Sequence, residues 1–175
     1  MLVLVDFINP LHFPGAEHLL LGALKAAQAT VRLKKRLAAA GVPAVYANDN
    51  YGTWHSEFSD VLRRCQEVAG PRGEIARMLA PQAQDLTLLK PRHSAFFGTP
   101  LDLLLREMQA KELVIVGLAA DMCVQFTAVD AYMHGYTAWV PADCTAAESE
   151  AAKQGALDHM ASVMRSSVRR AVRAR

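Results

Sequence analysis

The sequence predicts a doubly wound α/β fold: a mostly parallel β-sheet with helices on both faces, a Rossmann-like three-layer α/β/α arrangement. Short apolar runs rich in Val, Leu and Ile alternate with longer stretches of helical period. The runs show no polar alternation, which is the pattern of parallel strands buried on both faces by crossover helices. The chain has 175 residues, 52% hydrophobic and 21% charged, enough for one sizeable core over residues 1–175 but too few for two ordinary domains. That apolar content excludes a disordered chain, and 10 Gly and 8 Pro scattered along it exclude collagen-like and low-complexity classes.

Leu2-Val3-Leu4-Val5 is too short for a buried helix and fits a central strand. Leu20, Leu24, Ala27, Val31 and Leu37 then predict a helix over about 16–40, stopped by Gly41. Residues 42–48 and 85–89 read as the second and third strands, and Glu112–Leu118 (ELVIVGL) as the fourth, with the strongest strand signal in the chain. A fifth strand is expected at 135–140, with helices around 72–79, 100–110 and 122–134. A last helix is expected from 146 to about 170, with Glu148 and Glu150 at its start and Arg165, Arg169 and Arg170 at its end. Acid first and base last complements the helix dipole. Ala156, Leu157, Met160, Val163 and Met164 would form its buried stripe.

A formal charge of +2 gives no reason to expect nucleic acid as a partner. Three widely separated cysteines, Cys65, Cys123 and Cys144, argue against a disulfide scaffold and for a reducing compartment. No apolar run approaches the roughly 18 residues of a membrane span. The first residues, MLVLVDFINP, lack the basic region of a signal peptide. The expectation is a soluble, cytoplasmic protein without a membrane partner. Nucleotide-binding and serine-hydrolase glycine motifs are missing from the sequence.

In parallel α/β sheets ligands bind beyond the carboxyl ends of the strands. Asp6 follows the first strand, Asn48-Asp49-Asn50 the second, Lys90 the third and Ala119-Ala120-Asp121-Met122-Cys123 the fourth. A carboxylate, an ammonium and a thiol are thus delivered to one edge. A thiol attacks as its thiolate, and Cys123 at a helix start would find dipoles that favour an anion. Asp6 could take the thiol proton and pass it to a leaving amine, and Lys90 could hold both anions. Each residue also has a bland reading: Cys123 as packing, Asp6 as a turn cap, Lys90 as a surface lysine.

These residues resemble a family. Leu4-Val5-Asp6-Phe7, Lys90-Pro91-Arg92-His93-Ser94-Ala95-Phe96 with Thr99, and Val116-Gly117-Leu118-Ala119-Ala120-Asp121-Met122-Cys123-Val124 with Thr127, Ala128, Ala131 and Gly135 look like the isochorismatase-like cysteine hydrolases, amidohydrolase branch. The likeness runs from about residue 2 to 149. It implies an Asp6–Lys90–Cys123 triad that cleaves a small amide, ureide or carbamoyl C–N bond through a thioester. It also implies a non-proline cis peptide at Leu118–Ala119, aiming the N–H groups of Ala119 and Cys123 at the developing oxyanion. Isochorismate-cleaving members lack the cysteine, so Cys123 argues for amide hydrolysis. A small-molecule substrate and a homo-oligomer, dimer or tetramer, are further implications.

The sequence departs from the family at two places. Nicotinamidase members bind a metal through an Asp-x-His pair with further histidines; here the match is Asp49-Asn50-Tyr51, with His55 the nearest imidazole. One Asp and one His are a poor ligand set, so neither a metal nor any other cofactor is expected. Ile8-Asn9-Pro10 also replaces the usual Gln-Asn-Asp run. Phe7, Trp54 and Phe97 are candidate substrate contacts, with core packing as the alternative. His12, His18, His93, His134 and His159 read as surface or hydrogen-bonded residues, and Cys65 and Cys144 as bystanders. The rival readings are a non-hydrolytic binding protein on the same scaffold, a nicotinamidase-like enzyme with an atypical metal site, and a thiol redox protein using Cys123 and Cys144.

Overall fold

The computed structural model describes residues 1–54 and 57–171. Its strands are β1 (Leu2–Val5), β2 (Ala44–Asp49), β3 (Leu86–Lys90), β4 (Glu112–Leu118), β5 (Thr137–Trp139) and β6 (Thr145–Ala146). Its helices are α1 (Ala16–Ala39), α2 (Phe58–Glu67), α3 (Pro71–Met78), α4 (Leu101–Glu107), α5 (Gln125–Met133) and α6 (Glu150–Ser162), with a π-helical turn at Ala120–Val124. The sheet is parallel in the order β3-β2-β1-β4-β5, and β6 pairs with the far end of β4.

Both faces of the central strands are apolar, and their side chains sort by the two-residue period of a strand. Leu2 and Leu4 of β1 join Tyr46 and Val116 in one layer of the core, covered by α1, α2 and α3. Val3 and Val5 join Val45 and Ile115 in the other, covered by α4, α5 and α6. The three-layer architecture predicted from the apolar runs is the one observed.

From β1 the chain steps outward through β2 and β3 in one direction and through β4 and β5 in the other. The crevice between β1 and β4 is therefore the topological switch point where such sheets bind ligands. The close approach of these two strands needs Gly117, whose φ is +139°; a Cβ there would lie 1.9 Å from the carbonyl oxygen of Val5. No side chain fits, so Gly117 sets the spacing that brings the end of β1 against the turn after β4.

Four expectations are corrected. Helix α2 went unread because only Val61 and Cys65 of its residues are buried, leaving its apolar stripe narrow among charges. Strand β6 is two residues long, below any periodic signal. Strand β3 ends on Lys90 itself, so the lysine is the last strand residue instead of the first loop residue. The last helix stops at Ser162. Beyond it the chain turns, with Arg165 at φ +54°, and Ser167 lies parallel to Trp139, exchanging hydrogen bonds with Ala138 and Val140. Arg165, Arg169 and Arg170 are thus off the helix, and Val163 is 54% exposed while Met164 is buried.

Candidate active site

Asp6 follows β1 directly and takes a left-handed φ of +50°. It is 4% exposed, with one carboxylate oxygen 2.7 Å from Lys90 Nζ and the other accepting the Asp49 backbone N–H at 2.7 Å. Lys90 ends β3 fully buried, an expensive place for a charge unless partners surround it. Its Nζ also donates to the Arg92 carbonyl at 3.2 Å and to Cys123 Sγ at 3.5 Å, with Asp49 Oδ2 at 3.9 Å. One ammonium therefore bridges the carboxylate after β1 and the thiol after β4.

Cys123 sits in the π-helical turn, half-buried. The turn is closed by the Met122 and Val124 N–H groups, both donating to the Ala119 carbonyl, and Met122 adopts φ −125° and ψ −106°. The Leu118–Ala119 peptide that leads into it is cis. Thr127 Oγ1 donates to the Cys123 carbonyl at 2.6 Å and accepts the Ala95 N–H at 3.0 Å. That hydroxyl ties the loop after β3 to the turn that carries Cys123.

The electrostatics differ from the sequence expectation. Burial, followed by the charge of Asp6, pushes the Cys123 thiol up to about 12, and Lys90 offsets only part of this. The helix-start position does not make it a resting thiolate. Burial raises Asp6 above the ordinary carboxylate range despite Lys90. Lys90 in turn is desolvated, but Asp6 and Cys123 hold its pKa above that of an ordinary lysine. Asp6 and Cys123 are close enough to shift each other's ionisation. The resting site is a protonated thiol beside the Asp6–Lys90 pair.

The loop after β2 tests the metal question. Asp49 Oδ1 accepts the Tyr51 N–H at 2.5 Å, and Oδ2 faces Lys90. The Tyr51 hydroxyl donates to the Ile8 carbonyl at 3.1 Å, and burial first of all, with Asp6, Asp49, Cys65 and Cys123 adding to it, keeps that phenol well above its usual pKa. A neutral phenol turned to a carbonyl is a poor ligand, and no group of three His, Cys, Asp or Glu fit to hold a metal occurs among the described residues. These residues do not fit the nicotinamidase metal. His55 lies outside the described residues.

Beside this loop is a cavity of about 440 Å³, lined by Asn9, His12, Phe13, Tyr51, Arg64 and Cys65 among others. Trp54 and Phe97 stand 78% and 60% exposed on the loops after β2 and β3. Phe7 is a correction: it has no exposed surface and packs with α1 in the core, so it contacts no ligand here. His93 is exposed and hydrogen-bonded, as read from the sequence, and its partner is the site itself: its Nδ1 lies 3.7 Å from Cys123 Sγ. Nothing in the spacing of the histidines signals this, although His93 lies only three residues beyond Lys90. Cys65 and Cys144 are buried, and Cys144 belongs to the opposite core layer from the one against which Cys123 packs.

The model of the isochorismatase domain matches residues 1–169. The chain belongs to the isochorismatase family. It is a hydrolase of that family. YaaI of Bacillus subtilis, an uncharacterized isochorismatase family protein, is 36% identical over 93% of this chain and 89% of its own length. The ureidoacrylate amidohydrolase RutB of Serratia proteamaculans is 39% identical over 59% of this chain, a match that spans 46% of RutB. Among solved structures, the N-carbamoylsarcosine amidase of Thermoplasma acidophilum superposes with a TM-score of 0.74 at 28% identity, covering 99% of this chain and 96% of that one. Among the described residues no helix is long and apolar enough to cross a membrane.

Proposed function

We propose that this protein is a metal-independent cysteine hydrolase that cleaves the C–N bond of a small amide, ureide or carbamoyl compound through a thioester on Cys123. The observation that carries this reading is Lys90 Nζ, bonded at once to Asp6 and to Cys123 Sγ. Asp6 takes the thiol proton as Sγ attacks the carbonyl carbon, and Lys90 stabilises the two anions of that moment. The N–H groups of Ala119 and Cys123 receive the developing oxyanion. The proton then goes to the leaving nitrogen, ammonia or an amine departs, and water hydrolyses the thioester.

The substrates named for two relatives bear on the substrate class. Ureidoacrylate and N-carbamoylsarcosine, the compounds named for two relatives, both join a carbamoyl nitrogen to a carboxylate. A small ureido or N-carbamoyl acid is the substrate class this reading favours. The free cysteines support a reducing, cytoplasmic location, and exposed Leu103, Phe126, Tyr132 and Met133 support association of copies.

Ammonia release from a panel of amides, ureides and N-carbamoyl acids tests the reading, with Asp6→Asn and a chelator run in parallel. The expected result is turnover of carbamoyl acids that survives chelation and is lost in Asp6→Asn. Turnover abolished by the chelator and restored by a metal would overturn the metal-free assignment.

A further inference from the structure

The nucleophile has a polar neighbour on the exposed side of the site that the triad does not include. His93 Nδ1 lies 3.7 Å from Cys123 Sγ, within the longer reach of a hydrogen bond to sulfur. The ring is held in place, stacked on Phe126 with centroids 5.5 Å apart and planes at 29°. The backbone around it is pinned to the same site. Lys90 Nζ holds the Arg92 carbonyl, and Thr127 Oγ1 joins the Ala95 N–H to the Cys123 carbonyl. These ties fix His93 relative to Sγ more closely than an exposed loop side chain would otherwise be.

Asp6 and His93 stand in opposite surroundings. Asp6 is buried, and each of its oxygens already accepts a donor, from Lys90 or from the Asp49 N–H. It is suited to a proton handed over inside the site. The second half-reaction needs a water molecule from solvent, and a base must lie within hydrogen-bond reach of it. His93 is exposed and touches the sulfur that carries the acyl group.

We propose that His93 is the general base of thioester hydrolysis, drawing a proton from the water that attacks the Cys123 acyl group. Water oxygen bonds to the acyl carbon as its proton passes to the unprotonated ring nitrogen. The C–S bond then breaks, its electron pair leaving on Sγ beside Lys90. The imidazolium returns the proton to sulfur, so the acid product leaves a neutral His93 and a protonated thiol. This rests on the thioester reading above and divides the work between two bases, one for each half-reaction.

The test uses p-nitrophenyl acetate, which acylates thiols without needing the natural substrate's recognition. Wild-type enzyme is expected to give a burst of nitrophenolate followed by steady turnover. His93→Ala and His93→Gln keep the burst, but steady turnover falls by about 10²–10⁴-fold, the usual contribution of a general base. Intact mass then shows acetylated protein accumulating on Cys123, and added imidazole speeds deacetylation of His93→Ala. An unchanged steady phase in both variants, or a slowed burst in place of a slowed steady phase, would overturn the proposal while leaving the thioester intact. The same nitrophenolate release in Cys123→Ala, with no acetyl group on Cys123 in quenched wild type or His93→Ala, would bring down the thioester reading itself.

Discussion

Cys123 and Cys144 are alike in the property most often used to rank cysteines, and opposite in their access to a ligand. Burial drives both thiols up to about 12. Yet Cys144 is fully enclosed in the layer under α1, its thiol directed at Asp143 Oδ1, 4.0 Å away. Cys123 is half-exposed in a π-helical turn, with Lys90, Asp6 and His93 around its sulfur. A raised pKa therefore does not separate an inert thiol from a poised one. What separates them is access for a ligand, together with an ammonium in contact with the sulfur: Lys90 Nζ lies 3.5 Å from half-exposed Cys123, whereas Cys144 is sealed in the core.

The sharpest way to break this comparison is to exchange the two thiols for methyl groups. Cys123→Ala is expected to lower kcat/KM at least about 10⁴-fold, the scale seen when a nucleophile is removed. Cys144→Ala leaves kcat/KM unchanged and costs about 1 kcal/mol of stability, read by denaturant unfolding. Comparable losses of turnover in both variants would erase the distinction.

Removing the cation tests the surroundings of Cys123 next. Lys90→Met leaves the Asp6 carboxylate buried without its partner, so a destabilisation of about 3–5 kcal/mol is expected. Asp6→Asn combined with Lys90→Met recovers part of that loss, because no lone charge remains buried. A double variant no more stable than Lys90→Met alone would show that the ion pair is not what stabilises this end of the sheet.

The smallest effect is in the pH dependence. Folded Cys123 keeps its proton up to about 12, whereas an unperturbed thiol ionises near 9.0. Above that value the unfolded chain binds fewer protons than the native one, so the shift lowers stability as pH rises from about 9 to about 12. Cys123→Ala flattens that loss, and Cys144→Ala does the same. Iodoacetamide labelling of native Cys123 should rise about tenfold per pH unit from pH 8 to 11, since the thiolate is the reactive form. A labelling plateau below pH 9 would place its ionisation elsewhere.

The central sheet was legible because strands buried on both faces are unbroken apolar runs, and Leu2–Val5 and Glu112–Leu118 are observed as read. The same runs end where chemistry can begin, which is why Asp6, Lys90 and Cys123 could be picked out and why the structure brings them together. Side-chain direction was less legible. The left-handed turn at Asp6 sends Phe7 back into the core, and no sequence period reports that reversal. The Arg-rich end read as helix because its charges suit a helix terminus, but hydrogen bonds to the open edge beside Trp139 take that segment instead. The partner of His93 was missed because its place at Cys123 depends on Thr127, 34 residues away in the chain, tying two loops together.

The proposed hydrolysis turns on a covalent step at one sulfur, and rapid quenching can observe it. Enzyme mixed with the best substrate from the panel, stopped in acid within one turnover and digested, should carry a substrate-derived acyl group on the Cys123 peptide, rising and falling as ammonia appears. Turnover with an acyl group on any other residue, or undiminished turnover in Cys123→Ala, would contradict it.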